Sequence, residues 1–268
     1  MREPSRLLTL SFFLLFAPLV CAEPAVPWSP EEKLNFNITV GVITAGKASL
    51  EVRGFVEQPK SFRLVATATS NAFVDVFYKV RDLNESWLDV NGLFTHRFEQ
   101  HNQEGKYHLD QTVEYDWVNR RWKQTDLVKG REPKYEEGDL PIPVIDTLSA
   151  LYLVRAKPLK EGDEFSLDVH SGKIYPLVVK VLKRETVRVP AGKFDCFKVE
   201  PFLKEKGLFI QKGKKLEVWL TADERHIPVK MRAEIFIGHV HAELTEVSGG
   251  IGGIGGTLDP PLNNNYNE

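Results

Sequence analysis

Two histidines and a glutamate near the end of the chain are the residues whose types best suit metal binding. His239, His241 and Glu243 alternate with Val240 and Ala242, so on a β-strand their side chains share one face. Imidazole and carboxylate groups bind Zn²⁺ when a neighbouring element completes the ligand set. The same spacing is also typical of a solvated strand face, and we therefore predict no metal and no cofactor.

Carboxylates form a second candidate for chemistry. Asp110, Glu114 and Asp116 fall on one face of a predicted strand, and paired carboxylates can cleave glycosidic bonds. Alternating acids are also typical of a soluble strand surface. The sequence contains no Gly-x-Ser-x-Gly elbow and no His-Glu-x-x-His helix, the common hydrolase signatures. We predict no catalytic residue, and a hydrolase of envelope polymers is the least favoured of three interpretations.

A glycine-rich run near the carboxyl terminus matches the dinucleotide-binding fingerprint in letters only. Residues 250–255 read Gly-Ile-Gly-Gly-Ile-Gly, with Pro260 and Pro261 close behind. The fingerprint works where a strand of a parallel sheet leads into a helix, and neither element is predicted here. We predict that residues 249–268 form a flexible tail.

Four aromatic residues are the predicted ligand-binding residues, and they are Tyr107, Tyr115, Trp117 and Trp122. The first three share one face of a long predicted strand, which Gln111 interrupts. A turn at Asn119-Arg120 brings the chain back, so that the four could cluster across one hairpin. Aromatic faces on a curved sheet stack on sugar rings or line an apolar cavity. The alternative is that these side chains belong to the core.

The elements that position these residues are mostly β-strands. Apolar and polar residues alternate from Lys33 to Val40, and the same period of two recurs up to Leu244. The patterns indicate ten or more strands with short connections. Because a long sheet must curl or close to protect its edges, we predict an antiparallel barrel or strongly curved sheet.

One helix interrupts the strands. Residues 127–143 break the period of two, and a helical spacing follows from about residue 143 to 156. Its apolar residues are Val144, Ile145, Leu148, Leu151 and Tyr152. Such a face must be covered, so the helix is predicted to pack against the sheet or to close one end of a barrel.

The first residues have the features of a cleavable signal peptide. Arg2 and Arg6 precede an apolar run, and Val20-Cys21-Ala22 suits cleavage after Ala22. The run is shorter than the roughly 20 residues that span a bilayer. A lipid on Cys21 is the alternative, which the bulky Val20 disfavours. We predict a signal peptide at 1–22, one β-rich domain at 23–248 and no transmembrane segment in the mature chain.

Net charge and cysteine content argue against a nucleic-acid-binding protein and against a disulfide-linked domain. The formal net charge of −2 and the lack of a basic stripe argue against nucleic-acid binding. After cleavage Cys196 is the one cysteine left, so no disulfide can form within the chain. Its apolar surroundings predict a buried, unreactive thiol.

Three segments of the chain resemble the family catalogued as domain of unknown function 3108. They are Leu34–Ala48, Asp146–Gly162 with its Asp-Thr-Leu-Ser-Ala-Leu-Tyr start, and Val189–Lys230 with Val-Pro-Ala-Gly-Lys-Phe at its start. The resemblance covers about residues 30–247. It implies an exported, antiparallel β protein of the periplasm or the outer-membrane periphery, mainly in Gram-negative bacteria. It implies no agreed activity and no catalytic residues.

The preferred function is therefore binding without catalysis. We predict an envelope protein that carries an amphiphile or a glycan in the concave side of the sheet. The alternative is an assembly or interaction protein, whose partner is an envelope protein and which has no small ligand. A lined cavity favours the first, and a filled core favours the second.

Overall fold

The computed structural model describes residues 26–57, 59–203, 215–235 and 238–249. The predicted signal peptide and residues 250–268 of the predicted tail lie outside the described residues. Gly249 itself lies against the start of the domain, where its carbonyl accepts a hydrogen bond from Ser29 Oγ at 3.1 Å.

The strands and helices follow one another along the chain with short connections. The strands are β1 (Lys33–Val40), β2 (Ile43–Glu57), β3 (Lys60–Ser70), β4 (Val80–Asp89), β5 (Thr95–Glu104), β6 (Tyr107–Asp116), β7 (Arg121–Val128), β8 (Lys134–Asp139), β9 (Glu164–His170), β10 (Ile174–Val189), β11 (Gly192–Leu203), β12 (Leu216–Thr221), β13 (Pro228–Ile235) and β14 (Gly238–Ser248). The helices are α1 (Ala72–Asp75) and α2 (Thr147–Arg155).

All 14 strands belong to one antiparallel sheet with the order β8-β7-β6-β5-β4-β3-β2-β1-β14-β13-β12-β11-β10-β9. Consecutive strands are neighbours, and β1 pairs with β14 from Lys33–Ser248 to Val40–Val240. That pairing joins the two halves of the chain. The edge strands β8 and β9 do not pair with each other, so the sheet is curled and not closed. The predicted fold class is confirmed, in its curved-sheet form.

The first hairpin turns at Gly41 and Val42, and β2 begins at Ile43. Gly46 lies within β2, where a Cβ would stand 2.1 Å from the Thr69 carbonyl oxygen of β3. Glycine is needed there because the neighbouring backbone approaches so closely.

The helix α2 starts four residues later than predicted. Asp146 caps it, and Val144 and Ile145 before the cap are extended. Ile145 N donates to the Asp168 carbonyl at 3.1 Å, and His170 N donates to the Ile145 carbonyl at 2.8 Å. Ile145 therefore pairs with the exposed edge of β9, and the Val144 carbonyl accepts from Thr95 N of β5 at 3.0 Å, which the helical spacing could not reveal.

The core lies inside the curl, where α2 packs against β3, β4 and β9. Leu148 and Tyr152 of the helix are buried, and the Tyr152 ring meets Trp28 edge-on at 5.2 Å. The prediction that the helix packs against the sheet is confirmed. Cys196 on β11 is also buried as predicted, and burial raises the pKa of its thiol to about 12.

One strand differs from the sequence interpretation. Residues 134–139 form the edge strand β8, although their charges looked like an interruption of the strands. Exposed charge on an edge strand discourages pairing with other molecules, so this composition suits its position.

Candidate functional site

An apolar cavity of about 270 Å³ lies between α2 and the concave face of the sheet. The helix contributes Leu148, Leu151 and Val154 to its lining. The opposite wall comes from β9 to β13, with Val169, Leu177, Val179, Val199, Pro201, Leu216, Val218 and Met231. The core is therefore not filled beneath the helix.

One side of this cavity is polar. Asn84 of β4 and Gln100 of β5 are register partners, and both line the cavity. The Oδ1 atom of Asn84 is buried and has no hydrogen-bond partner among the described residues. The cavity thus has an apolar wall on one half of the sheet and amide side chains on the other.

A smaller polar pocket of about 40 Å³ adjoins the cavity and shares Gln100, Thr147 and Ser171 with it. We call it the amide pocket, and its other lining residues are Phe98, Gln111, Val113, Gln124, His170 and Gly172. Gln111 and Gln124 both donate through Nε2 to the Asp126 carboxylate, at 2.8 and 2.9 Å to Oδ1. Asp126 therefore fixes which way these two amides face.

The imidazole of His170 is held from two sides. Its Nδ1 lies 3.0 Å from the Tyr115 hydroxyl, and its ring centroid is 4.4 Å from that of Trp122. Burial lowers the pKa of His170 to about 4, so the ring is neutral at pH 7. Burial also raises the pKa of the Tyr115 hydroxyl well above its usual value, which keeps that group protonated.

The tautomer of His170 follows from these contacts. We assign the Tyr115 hydroxyl as the donor to Nδ1, because the reverse direction would leave its hydrogen without a partner among the described residues. A neutral imidazole then carries its hydrogen on Nε2. That Nε2 is buried and unpartnered within the described residues, as is Oε1 of Gln124.

The structure brings together three of the four predicted ligand-binding residues. Tyr115 and Trp122 are register partners on β6 and β7, and Trp117 stacks on Tyr115 with centroids 6.2 Å apart. Tyr107 lies at the other end of β6 and is 43% exposed. None of the four lines the cavity. Tyr115 and Trp122 instead contact the ring of His170.

The other sequence candidates are engaged elsewhere. Glu114 accepts from Arg97 Nη1 at 2.6 Å, and Asp110 lies 2.7 Å from His101 Nδ1. Asp116 caps the β6–β7 turn by accepting from the backbone N–H groups of residues 118 and 119. These three carboxylates therefore do not converge on a cleft.

The candidate metal ligands on β14 do not converge on one site either. The rings of His239 and His241 are 6.3 Å apart, and Glu243 pairs with Lys230 at 2.6 Å. Across residues 26–249, with the gaps named above, no group of three His, Cys, Asp or Glu side chains is arranged to hold a metal. Neither described helix is long and apolar enough to cross a membrane.

The comparison with protein families identifies the relatives of this chain. Residues 35–245 match the family described as "Protein of unknown function (DUF3108)". The chain belongs to the DUF3108 family. The resemblance carried by the three sequence segments is thus confirmed. None of the curated proteins is significantly similar to this DUF3108 member.

One solved structure shows the same kind of fold. A beta-barrel-like protein of domain of unknown function DUF1849 from Brucella abortus is 11% identical, with a TM-score of 0.56. The alignment covers 84% of this chain and 99% of that one, and it shows the fold alone. A Bacteroides fragilis protein with a YmcC-like fold is 13% identical over 85% of this chain and 100% of its own. Its TM-score of 0.32 carries no argument.

The sequence interpretation missed the residues of the amide pocket. Gln111 was the one visible signal, because it interrupts the apolar face of β6. His170 and Gln124 reach the pocket from β9 and β7, which are distant in sequence and are not neighbours in the sheet. Only the curl of the sheet brings them together, and no local pattern encodes that curl.

Proposed function

We propose that this protein is an exported carrier of the cell envelope that binds the apolar chain of an amphiphile in the cavity beneath α2, without catalysis. The observation that supports it is the cavity itself, which is lined by aliphatic side chains from the helix and from five strands. Its volume of about 270 Å³ is close to the lower end of the ligand pockets common in proteins, about 300–1,000 Å³.

The lining favours an amphiphile over a free glycan. Each methylene moved from water into such a cavity contributes roughly 0.8 kcal/mol, so a chain of several carbons provides useful affinity. A sugar would instead place its hydroxyl groups against Leu151, Val199 and Val218, which offer no side-chain hydrogen bond. The signal-peptide pattern and the family resemblance support a periplasmic or outer-membrane peripheral location.

Filling the cavity should block binding. Leu151 lines the cavity from α2 and is half-buried, so Leu151→Trp places an indole in the space for the chain. We expect the affinity for N-phenyl-1-naphthylamine, an uncharged fluorescent probe, to fall at least about tenfold, equivalent to about 1.4 kcal/mol. Leu182→Trp is the matched control, because Leu182 is 40% exposed and lies outside the cavity. Equal probe binding by both variants, or no saturable binding by the wild type, would reject the proposal.

A second candidate, the interaction protein, is favoured by a different feature. An apolar rim of exposed side chains lies where α1 meets the β1–β2 turn, and its members are Val42, Ile43, Phe73, Val76, Phe77 and Tyr78. Asn71 Nδ2 donates to the Thr44 carbonyl at 2.6 Å and holds the two segments together. Exposed Lys47, Lys79 and Lys106 lie on the same end of the sheet, so the partner would be an envelope protein with an acidic, apolar surface.

The two candidates predict opposite results in a host strain that lacks the gene. If carriage is the function, Leu151→Trp fails to restore the wild-type envelope, whereas Phe73→Ser with Phe77→Ser restores it. The interaction candidate predicts the reverse. Both Phe73 and Phe77 are more than half exposed, so their replacement leaves the core intact.

A further inference from the structure

We infer that the amide pocket binds an uncharged head group that both donates and accepts hydrogen bonds, as an alcohol or a primary amide does. The inference rests on the proposed function and extends it to the polar end of the ligand. The apolar chain lies beneath α2, and the head group lies between His170 and Gln124. Because the two spaces share Gln100, Thr147 and Ser171, one molecule can occupy both.

Two buried side-chain atoms of the amide pocket, one of His170 and one of Gln124, have no hydrogen-bond partner among the described residues. His170 is 2% exposed and Gln124 is 5% exposed, and both side chains line the pocket. Nε2 of His170 and Oε1 of Gln124 have no hydrogen-bond partner within the described residues. Buried polar groups in proteins are nearly always hydrogen-bonded, so a group that enters this pocket is needed to satisfy them.

Each of these two atoms has one role under the assigned hydrogen bonds. With the Tyr115 hydroxyl assigned as the donor to His170 Nδ1, Nε2 of the neutral ring is a donor. Asp126 accepts from Gln124 Nε2 at 2.9 and 3.1 Å and leaves Oε1 as an acceptor. The pocket therefore offers one donor and one acceptor, and a hydroxyl group satisfies both.

The charges around the amide pocket disfavour an ionised head group. No cationic side chain lines the pocket, and the carboxylate of Asp126 holds its amides. Glu136, the register partner of Gln124 on β8, adds a further negative charge that acts on His170. A carboxylate head would be desolvated there without a counterion, which disfavours it. These carboxylates attract a cationic head, but an ammonium group has no acceptor for Nε2–H of His170 and would leave that buried donor unpaired.

The volume of the amide pocket limits the size of the head group. A space of about 40 Å³ exceeds the roughly 10–15 Å³ that one water molecule requires, but it is small for a sugar or a phosphate ester. The head group that enters it is therefore a single small function at the end of the chain.

The test uses three ligands with one chain length, namely 1-dodecanol, dodecanoate and dodecylammonium, as competitors of N-phenyl-1-naphthylamine at pH 7. We expect dodecanol to bind at least tenfold more tightly than either ion. Gln124→Met keeps the side-chain length and removes the acceptor, and it should reduce the preference for dodecanol to threefold or less. Gln103→Met is the matched control, because the Gln103 side chain lies outside both the cavity and the amide pocket.

The outcomes separate this inference from the proposed function. If all three ligands bind equally and Leu151→Trp blocks them, the chain site is right and the head-group inference is wrong. A preference for dodecanol that persists in Gln124→Met would also overturn the inference, since the pocket would then hold water only. If no ligand displaces the probe, both proposals fail.

Discussion

Replacing Glu32 with alanine will lower the free energy of unfolding by about 3–5 kcal/mol, because it leaves a buried guanidinium without its counterion. Arg155 donates to Glu32 through Nη1 at 2.7 Å and through Nη2 at 3.0 Å. The side chains of both residues are only 1% exposed. Arg225 adds a third contact to the same carboxylate at 3.2 Å.

The position of this ion pair explains why the effect should be large. Arg155 is the last residue of α2, and Glu32 directly precedes β1, so the pair ties the helix to the strand that joins the two halves of the sheet. The guanidinium also lies over the rings of Trp28 and Tyr152, at 5.8 and 5.2 Å from their centroids. It cannot reach water without disturbing this packing.

Chemical denaturation measures the loss. Asp139→Ala is the control, because it breaks an ion pair with Arg121 whose side chains are 43% and 81% exposed. Such a surface pair contributes about 0–1 kcal/mol. If Glu32→Ala were no more destabilising than the control, the buried pair would not hold the helix in place.

Asp146→Ala will destabilise the protein by about 4 kcal/mol, since it removes an N-cap and several hydrogen bonds to a charged group. The carboxylate is fully buried. Its Oδ1 accepts from the backbone N–H groups of Leu148 and Ser149, and its Oδ2 accepts from the hydroxyls of Ser86, Thr95 and Ser149. Alanine removes the acceptor of all five donors, and the Ser86 and Ser149 hydroxyls, 2.7 Å apart, can still form one hydrogen bond with each other.

Two further variants locate the source of that loss. Asp146→Asn retains an acceptor for the helix N–H groups but turns a donor toward the hydroxyls, so its destabilisation should be smaller. Asn71→Ala removes the N-cap hydrogen bond from Val74 N of the exposed helix α1 and the solvent-exposed hydrogen bond to the Thr44 carbonyl, and should cost about 1 kcal/mol. Equal destabilisation by Asp146→Ala and Asn71→Ala would show that the hydroxyl contacts contribute nothing.

Much of the fold follows from local patterns. The alternation in β1 and the helical spacing in α2 each indicated one apolar face that is buried from water, and the structure places both faces in the core. Where two roles have the same local pattern, the sequence could not decide. Val144 and Ile145 continue the helical spacing of α2, yet Ile145 pairs with the edge of β9 and the Val144 carbonyl accepts from Thr95 N of β5. The charges of β8 suit an exposed edge as well as a loop.

The candidate site was harder to predict for a physical reason. Asn84, Gln100, Gln111 and Asp126 form one row across β4 to β7, and this row exists only through the register of three strand pairs. A register shift of one residue would turn those side chains to the other face. His170 joins them from β9, at the opposite edge of the sheet order. The aromatic cluster was visible locally, but its role as a support for His170 was not.

Native mass spectrometry tests most directly whether a single-chain amphiphile occupies the cavity beneath α2. The protein would be purified from the envelope of its own host, without detergent that could replace the ligand. We expect the wild type and Leu182→Trp to carry one molecule with the mass of a single-chain amphiphile, and Leu151→Trp to appear at the bare protein mass. A bare mass for the wild type, or the same bound molecule in all three proteins, would contradict the claim.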